Sequence, residues 1–167
     1  MSDKIIKLCT VLHTLNSPQN VGMIVRSHVA HAGELLVFTG HYLPWRFKKG
    51  SQAFSRKLEK QARFVHIPEP DEAIQFLRSE GYSIVAVEIA ETAESIRDFK
   101  FSNDVALIFG NEAHGLPTEF LDKADSVVTI PQYAAVGSLN VAVSASIAMY
   151  ELMKQSPIRQ IQGDEFV

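Results

Sequence analysis

The sequence predicts an α/β domain built on a parallel sheet with helices on both faces. Two observations carry that expectation. Strand-like and helix-like stretches alternate along the chain, and the strand-like ones are short and continuously apolar instead of alternating apolar with polar. Strands buried on both faces read that way, because neither face meets water. No internal repeat, low-complexity tract or linker divides the 167 residues, so one domain over residues 1–167 is expected, with a polar tail from about residue 155. A chain of this size buries roughly 70% of its unfolded surface and is served by one hydrophobic core.

The elements follow in order. Residues 5–12 (IIKLCTVL) are β-branched and apolar, a first strand. Asn16-Ser17-Pro18 starts a helix, with Ser17 able to cap and Pro18 suited to the first helical position. That helix runs to about His31 and stops near Gly33. Residues 35–39 form a strand, 40–50 a loop, and 51–62 a helix. Residues 64–67 are a strand closed by Pro68 and Pro70, and 71–79 a helix with Ile74, Phe76 and Leu77 turned inward. Residues 84–89 are a further apolar run, and 91–101 are acidic and irregular. A buried strand at 105–109, a short helix at 118–123, a last strand at 127–130 and a closing helix at 139–153 complete the chain.

Composition limits the function classes. At 46% hydrophobic and 21% charged, the chain reads as a globular protein. The charged start, MSDKIIKL, lacks the apolar core of a signal peptide. The longest apolar runs fall short of the about 20 residues that a spanning helix needs. Cys9 stands alone, which excludes an intrachain disulfide and a cysteine metal cluster and suits a reducing cytoplasm. Net charge is −3, yet Arg46, Lys48, Lys49, Arg56, Lys57, Lys60 and Arg63 fall within eighteen residues opposed only by Glu59. That stretch carries +6 and the remaining residues −9. Trp45, Phe47 and Phe54 are interleaved with it. A basic stripe on an acidic body is a footprint for phosphates, although a solvated helix face over core aromatics would read alike.

Three loops follow predicted strands, where ligands bind in parallel α/β sheets. In the first, Asn20, Gly22 and Arg26 open a helix, and Gly22 and Arg26 share one of its faces. An arginine fork among Ile24, Val25 and Val29 suits a phosphate or carboxylate, or is simply a surface arginine. The second, Gly110-Asn111-Glu112-Ala113-His114-Gly115, can turn tightly and expose backbone groups, and Glu112 can accept from a hydroxyl, an asparagine or an arginine. In the third, Gly137-Ser138-Leu139-Asn140, Ser138 is placed to cap the closing helix and Asn140 can bridge between loops. Several chemistries are missing. No G-x-G-x-x-G follows the first strand, and Leu116 stands where a phosphate-binding loop needs lysine. There is no G-x-S-x-G elbow. His28 and His31 lack the carboxylate or cysteine that would complete a metal set, so no metal is expected.

Taken together in this order, N-x-G-x-x-x-R, then LIFGNEA-x-GL at 107–116, then IP…GSLNVAV-x-x-x-IA-x-YE at 130–151, the sequence resembles the SpoU/TrmH family of SPOUT RNA methyltransferases over roughly residues 11–151. The resemblance implies an α/β fold with a C-terminal trefoil knot, a homodimer, and transfer of a methyl group from S-adenosylmethionine to a ribose 2′-hydroxyl of RNA. It implies that Leu107, Phe109, Gly110, Asn111, Glu112, Ile130, Gln132, Gly137, Ser138 and Leu139 hold the cofactor, largely by backbone. It also implies that Arg26 activates the attacking hydroxyl, with Asn20 and Glu112 positioning it; because arginine stays protonated, the expected means is binding the phosphate beside the target ribose and stabilising the developing alkoxide. Ser138 and Asn140 would complete the site, in part across the dimer interface. The chain is expected to lack the extra N-terminal RNA-binding domain and the long terminal helix of many members. Selection of RNA, tRNA more than ribosomal RNA, then falls to the core, the dimer surface and the basic stripe. Two other readings remain: an RNA-binding protein of this fold without activity, and a SPOUT enzyme that methylates a base.

Overall fold

The computed structural model describes residues 5–40, 55, 58–101 and 103–157. In chain order the elements are β1 (Leu8–His13), α1 (Pro18–Ala30), β2 (Leu35–Thr39), a 3-10 turn (Leu58–Lys60), β3 (Phe64–His66), α2 (Pro70–Ser79), β4 (Ser83–Val87), β5 (Glu94–Ser95), β6 (Val105–Phe109), α3 (Thr118–Leu121), β7 (Ser126–Thr129) and α4 (Val141–Met153). The strands form one sheet in the order β3-β2-β1-β6-β4-β7-β5, and every pairing is parallel. The expected parallel α/β fold is therefore present, with β6 inserted between β1 and β4.

Alternation along the strands divides the core into two layers. Leu8, Leu12, Leu36, Phe38, Leu107 and Phe109 face a cluster completed by Val21, Ile24 and Val25 of α1 and by Ala142, Ala145, Ala148 and Met149 of α4. Their neighbours Cys9, Val11, Leu35, Val37, Ala106 and Ile108 face the opposite layer, with Ile74 and Leu77 of α2 and Phe120 of α3. The period of two in a strand sends successive side chains to opposite faces. Covered on both, these strands can be apolar throughout. The alanines of α4 let it approach α1 closely, and Ser27 and Ser146 share a hydrogen bond between the two helices at 2.7 Å.

Boundaries moved where local hydrogen bonding overrode apolar pattern. β1 starts at Leu8 because the Ile6 amide donates to Ser156 Oγ and the Lys7 amide to Asp104 Oδ1, outside the ladder. β4 ends before Glu88, whose own carboxylate takes the Ile89 amide. β5 was not expected: it is two residues long and pairs Glu94 with Val128 and Ser95 with Thr129. The expected 40–50 loop and most of the expected 51–62 helix lie outside the described residues. Leu58–Lys60 is a 3-10 turn, tighter than the helix expected there. Phe76 of α2 is partly buried against the second layer rather than fully inside. Among the described residues no helix is long and apolar enough to cross a membrane.

One buried polar group tunes stability. His28 of α1 is fully buried, its Nδ1 paired with Thr10 Oγ1 at 2.9 Å. Gly33 packs against the ring, where a Cβ would come within 2.2 Å of it. Burial pushes the imidazole down to about 4 from 6.5. The unfolded chain therefore takes up a proton first as pH falls, and stability drops between those two values. About 2–3 kcal/mol should be lost between pH 7 and pH 4.5. Partial burial also lowers His13, against the pull of Glu119, and adds a slope of the same sign. Urea unfolding at stepped pH checks this; His28→Gln should flatten the curve above pH 4.5, and an unchanged slope would refute the assignment.

Candidate active site

Because the sheet is parallel, β1, β6, β4 and β7 all end on one edge. The chain leaving those ends encloses a cleft of about 800 Å³. Its position also marks where the strand order turns back, the usual ligand site of such sheets.

The loop after β6 is held in a narrow turn. Asn111 and Gly115 exchange backbone hydrogen bonds of 3.1 and 2.9 Å. A Cβ on Gly110 would lie 2.2 Å from the carbonyl carbon of Gly115, so that position is glycine by close approach. Gly115 itself sits at φ +66°, a region side chains avoid. The buried Asn111 side chain ties the turn to β1, donating to the Thr14 carbonyl at 2.7 Å and accepting from the Ala113 and His114 amides at 2.9 and 3.2 Å.

Glu112 reaches from this turn to the start of α1. Its Oε2 accepts from the Asn16 amide and its Oε1 from the Ser17 amide and Asn20 Nδ2, each at 3.0 Å. Partial burial opposes ionisation, but the hydrogen bonds from Asn16, Asn20 and Ser17 outweigh it and hold the carboxyl below its ordinary range. Asn20 Oδ1 in turn accepts from Asn140 Nδ2 at 3.0 Å. Asn140 Oδ1 then accepts from the Ala142 and Val143 amides at 2.9 and 3.3 Å. A continuous line of hydrogen bonds, Glu112 to Asn20 to Asn140, thus joins all three sequence loops.

That line corrects one expectation. Asn140, not Ser138, caps the closing helix, which begins at Val141 and not at residue 139. A carboxamide accepts on one atom and donates from another, so Asn140 takes two helix amides and still reaches sideways to Asn20; Ser138 stands two residues before that cap. Ser138 is left exposed on the cleft wall. At the other end of the loop pair, α1 is capped as expected, Ser17 accepting from the Asn20 amide at 3.3 Å.

Of the residues expected to hold a cofactor, Phe109, Gly110, Asn111, Glu112, Ile130, Gln132, Gly137, Ser138 and Leu139 line the cleft. Leu107 does not: it is fully buried in the α1/α4 layer, because only the end of β6 reaches the sheet edge. Gln132 Oε1 is buried without a protein partner among the described residues, an acceptor that a bound donor would satisfy. Arg26 is exposed on α1 and is not among the cleft-lining residues. Lys60 and Arg63 are exposed near β3; Arg46, Lys48, Lys49, Arg56 and Lys57 lie outside the described residues.

Sequence reasoning missed Glu88. Its Oε2 accepts from the Leu116 amide at 2.9 Å and its Oε1 from the Ile89 amide at 2.8 Å, on the cleft wall. The signal was a lone carboxylate closing the apolar run 84–89, which a strand expected to run through it concealed. Among the described residues no group of three or more histidine, cysteine or acidic side chains could hold a metal.

Comparison with known proteins agrees with this geometry. The model of the SpoU rRNA Methylase family matches residues 7–150. The tRNA (guanosine(18)-2'-O)-methyltransferase of Thermus thermophilus is 28% identical over 89% of this chain and 75% of its own. The SpoU methyltransferase AviRb from Streptomyces viridochromogenes, in complex with AdoMet, superposes with a TM-score of 0.79 at 29% identity, over 91% of this chain and 61% of AviRb. A structure described as giving insight into the 2-OH methylation of C/U34 on tRNA superposes with a TM-score of 0.76 at 26% identity, over 90% of this chain and 96% of its own. This chain thus spans about three-fifths of AviRb and nearly all of the last. With a family model matching 144 residues, from Lys7 to Tyr150, and the three loops of that family meeting at one cleft, the chain belongs to the SpoU rRNA Methylase family.

Proposed function

We propose that this protein transfers a methyl group from S-adenosylmethionine to a ribose 2′-hydroxyl of RNA, with tRNA as the substrate class. The observation that carries it is the Glu112–Asn20–Asn140 line at the mouth of the cleft. The Thermus relative is named for tRNA 2′-O-methylation, and a solved structure of which this chain covers 96% concerns 2-OH methylation of C/U34 on tRNA. AviRb, whose complex contains AdoMet, supports the cofactor.

The cleft suits that cofactor chemically. Among the described residues it is lined by two carboxylates, Glu88 and Glu112, and by no lysine or arginine. Such a wall disfavours phosphate-bearing nucleotides and favours a ligand with net positive charge. Apolar Phe109, Leu116 and Ile130 complete it. When bound, S-adenosylmethionine supplies a sulfonium methyl group electrophilic toward oxygen. Glu112 fixes the carboxamide of Asn20, and Asn20 fixes that of Asn140, so the polar end is set before substrate arrives. An arginine stays protonated throughout the physiological range; Arg26 therefore holds the phosphate beside the target ribose and stabilises the charge developing on the 2′-oxygen.

The same proposal includes a homodimer. Met23 of α1 and Val143 and Tyr150 of α4 are exposed, and Val143, Ile147 and Tyr150 share one face of α4. Arg26, outside its own cleft, stands on α1 near this stripe. A second copy covering it would bring Arg26 to a shared site. Val143→Glu with Tyr150→Glu should shift the protein to monomer in light scattering and lower turnover at least about tenfold; a dimer that survives both changes would refute this face. The trefoil knot belongs to the proposal too, supported by the family match and by β6 lying between β1 and β4. So does a cytoplasmic setting, supported by the buried free Cys9.

RNA is taken to track along the basic stripe. Lys57→Glu with Lys60→Glu should weaken RNA binding and lower the salt slope by about 2, read from filter binding at stepped salt; an unchanged slope moves the track elsewhere. The activity itself is tested by transfer of labelled methyl groups to RNA lacking the modification, separated into tRNA and ribosomal RNA. Label in the tRNA as 2′-O-methylnucleoside is expected. A base-methylated nucleoside would overturn the ribose assignment, and cofactor binding without label in any fraction would favour an RNA-binding protein.

A further inference from the structure

Glu88 adds its charge to the cleft wall but stands outside the Glu112–Asn20–Asn140 line. It leaves the end of β4, lines the cleft, and accepts one backbone hydrogen bond on each oxygen, from Leu116 and Ile89. An ionised carboxylate accepts about four hydrogen bonds, so each oxygen keeps capacity. Gly115 lies against it: a Cβ there would stand 2.5 Å from Glu88 Oε2. The glycine thus leaves room for the carboxylate in the wall, and the two amides fix its plane.

Its place along the cleft says what it can meet. The β1 and β6 end is polar, holding Asn20, Glu112 and Asn140. The β4 and β7 end offers apolar Val87, Leu121 and Ile130, with Thr129 and Gln132, whose buried Oε1 is an open acceptor, beside them. A planar base belongs against the apolar end, and the reacting hydroxyl against the polar one. Glu88 follows Val87 at the end of β4 and accepts from the Leu116 amide of the turn after β6, which ties it to both ends, where the sugar of a nucleoside would fall. A carboxylate just past a strand of a parallel sheet is suited to ribose hydroxyls, which donate two hydrogen bonds side by side.

We propose that Glu88 is a specificity-determining residue that accepts hydrogen bonds from the ribose hydroxyls of the nucleoside part of the cofactor. The inference rests on the S-adenosylmethionine reading of the cleft. Its test is calorimetric binding, without turnover, of S-adenosylhomocysteine, of 5′-methylthioadenosine, which lacks the amino acid, and of 2′,3′-dideoxy-5′-methylthioadenosine. The wild-type protein should bind the dideoxy compound at least tenfold more weakly than 5′-methylthioadenosine. Glu88→Gln should weaken 5′-methylthioadenosine about tenfold and leave the dideoxy compound unchanged. Equal loss for both would make Glu88 only a brace for the Gly115–Leu116 turn and overturn the proposal. Loss confined to S-adenosylhomocysteine would place Glu88 at the ammonium group instead and overturn it as well. If Glu88→Gln does not fold, the wild-type pair decides alone: equal binding of the two nucleosides means no hydroxyl is held. No wild-type binding of any of the three would overturn the cofactor reading itself, an outcome distinct from binding without discrimination.

Discussion

Arg26→Ala should lower turnover by about 10²–10³-fold while cofactor affinity stays within about twofold. The size follows from removing one preorganised group aimed at charge that develops in the transition state. The split follows from position. Arg26 is exposed and outside the cleft, six residues beyond Asn20 on α1, or about 9 Å along the helix axis. Arg26 does not line the cleft, so its loss is expected to leave cofactor binding intact. Arg26→Lys should recover little, because a point charge lacks the planar fork that meets a phosphate with two parallel hydrogen bonds. Single-turnover methyl transfer beside calorimetry reads both quantities. A fall in cofactor affinity that matches the fall in turnover would put Arg26 in the cofactor site and overturn the role given to it.

The sheet was legible because its strands announce themselves by continuous apolar runs, and the β6 strand at 105–109 matched to the residue. α1 was legible because Ser17 and Pro18 carry their own boundary. What escaped depended on contacts distant in sequence. β5 is two polar residues between Ala93 and Ile96 that become a strand only by pairing with Val128 and Thr129. Ser138 has the right chemistry for a cap, but Asn140 takes the place because Asn20, 120 residues earlier, accepts its amide. Leu107 sits in a motif next to the site yet two residues short of the sheet edge, and a strand's rise of about 3.3 Å per residue puts it deep in the core. Glu88 shows the converse: no motif marked it, and its role appears only when the Leu116 amide, 28 residues on, meets it.

Glu112→Ala is the change expected to damage fold and site together. Glu112 is the only acceptor recorded for the Asn16 and Ser17 amides and for Asn20 Nδ2 among the described residues. Its removal strands three donors at the start of α1. Hydrogen bonds to a charged group contribute about 1.5–3 kcal/mol each when buried; here water can reach the freed donors, so the sum is discounted to about 2–3 kcal/mol in all. For a chain of this length that lowers Tm by about 4–10 °C. Activity should fall further than stability, by about 10²-fold, because Asn20 loses the partner that fixes its carboxamide and Asn140 then caps α4 without a settled neighbour. The pH dependence separates this residue from His28. The folded carboxyl titrates below its ordinary value, so its stabilisation is complete above about pH 4.5 and is lost as pH falls through the lower, folded value. His28 acts above pH 4.5, Glu112 below it. Glu112→Ala should therefore flatten only the lower part of the acid limb in stepped-pH urea unfolding. A variant that keeps the wild-type acid limb, with Tm unchanged, would mean that the three amides find other acceptors and that the line through Asn20 to Asn140 does not depend on this carboxylate.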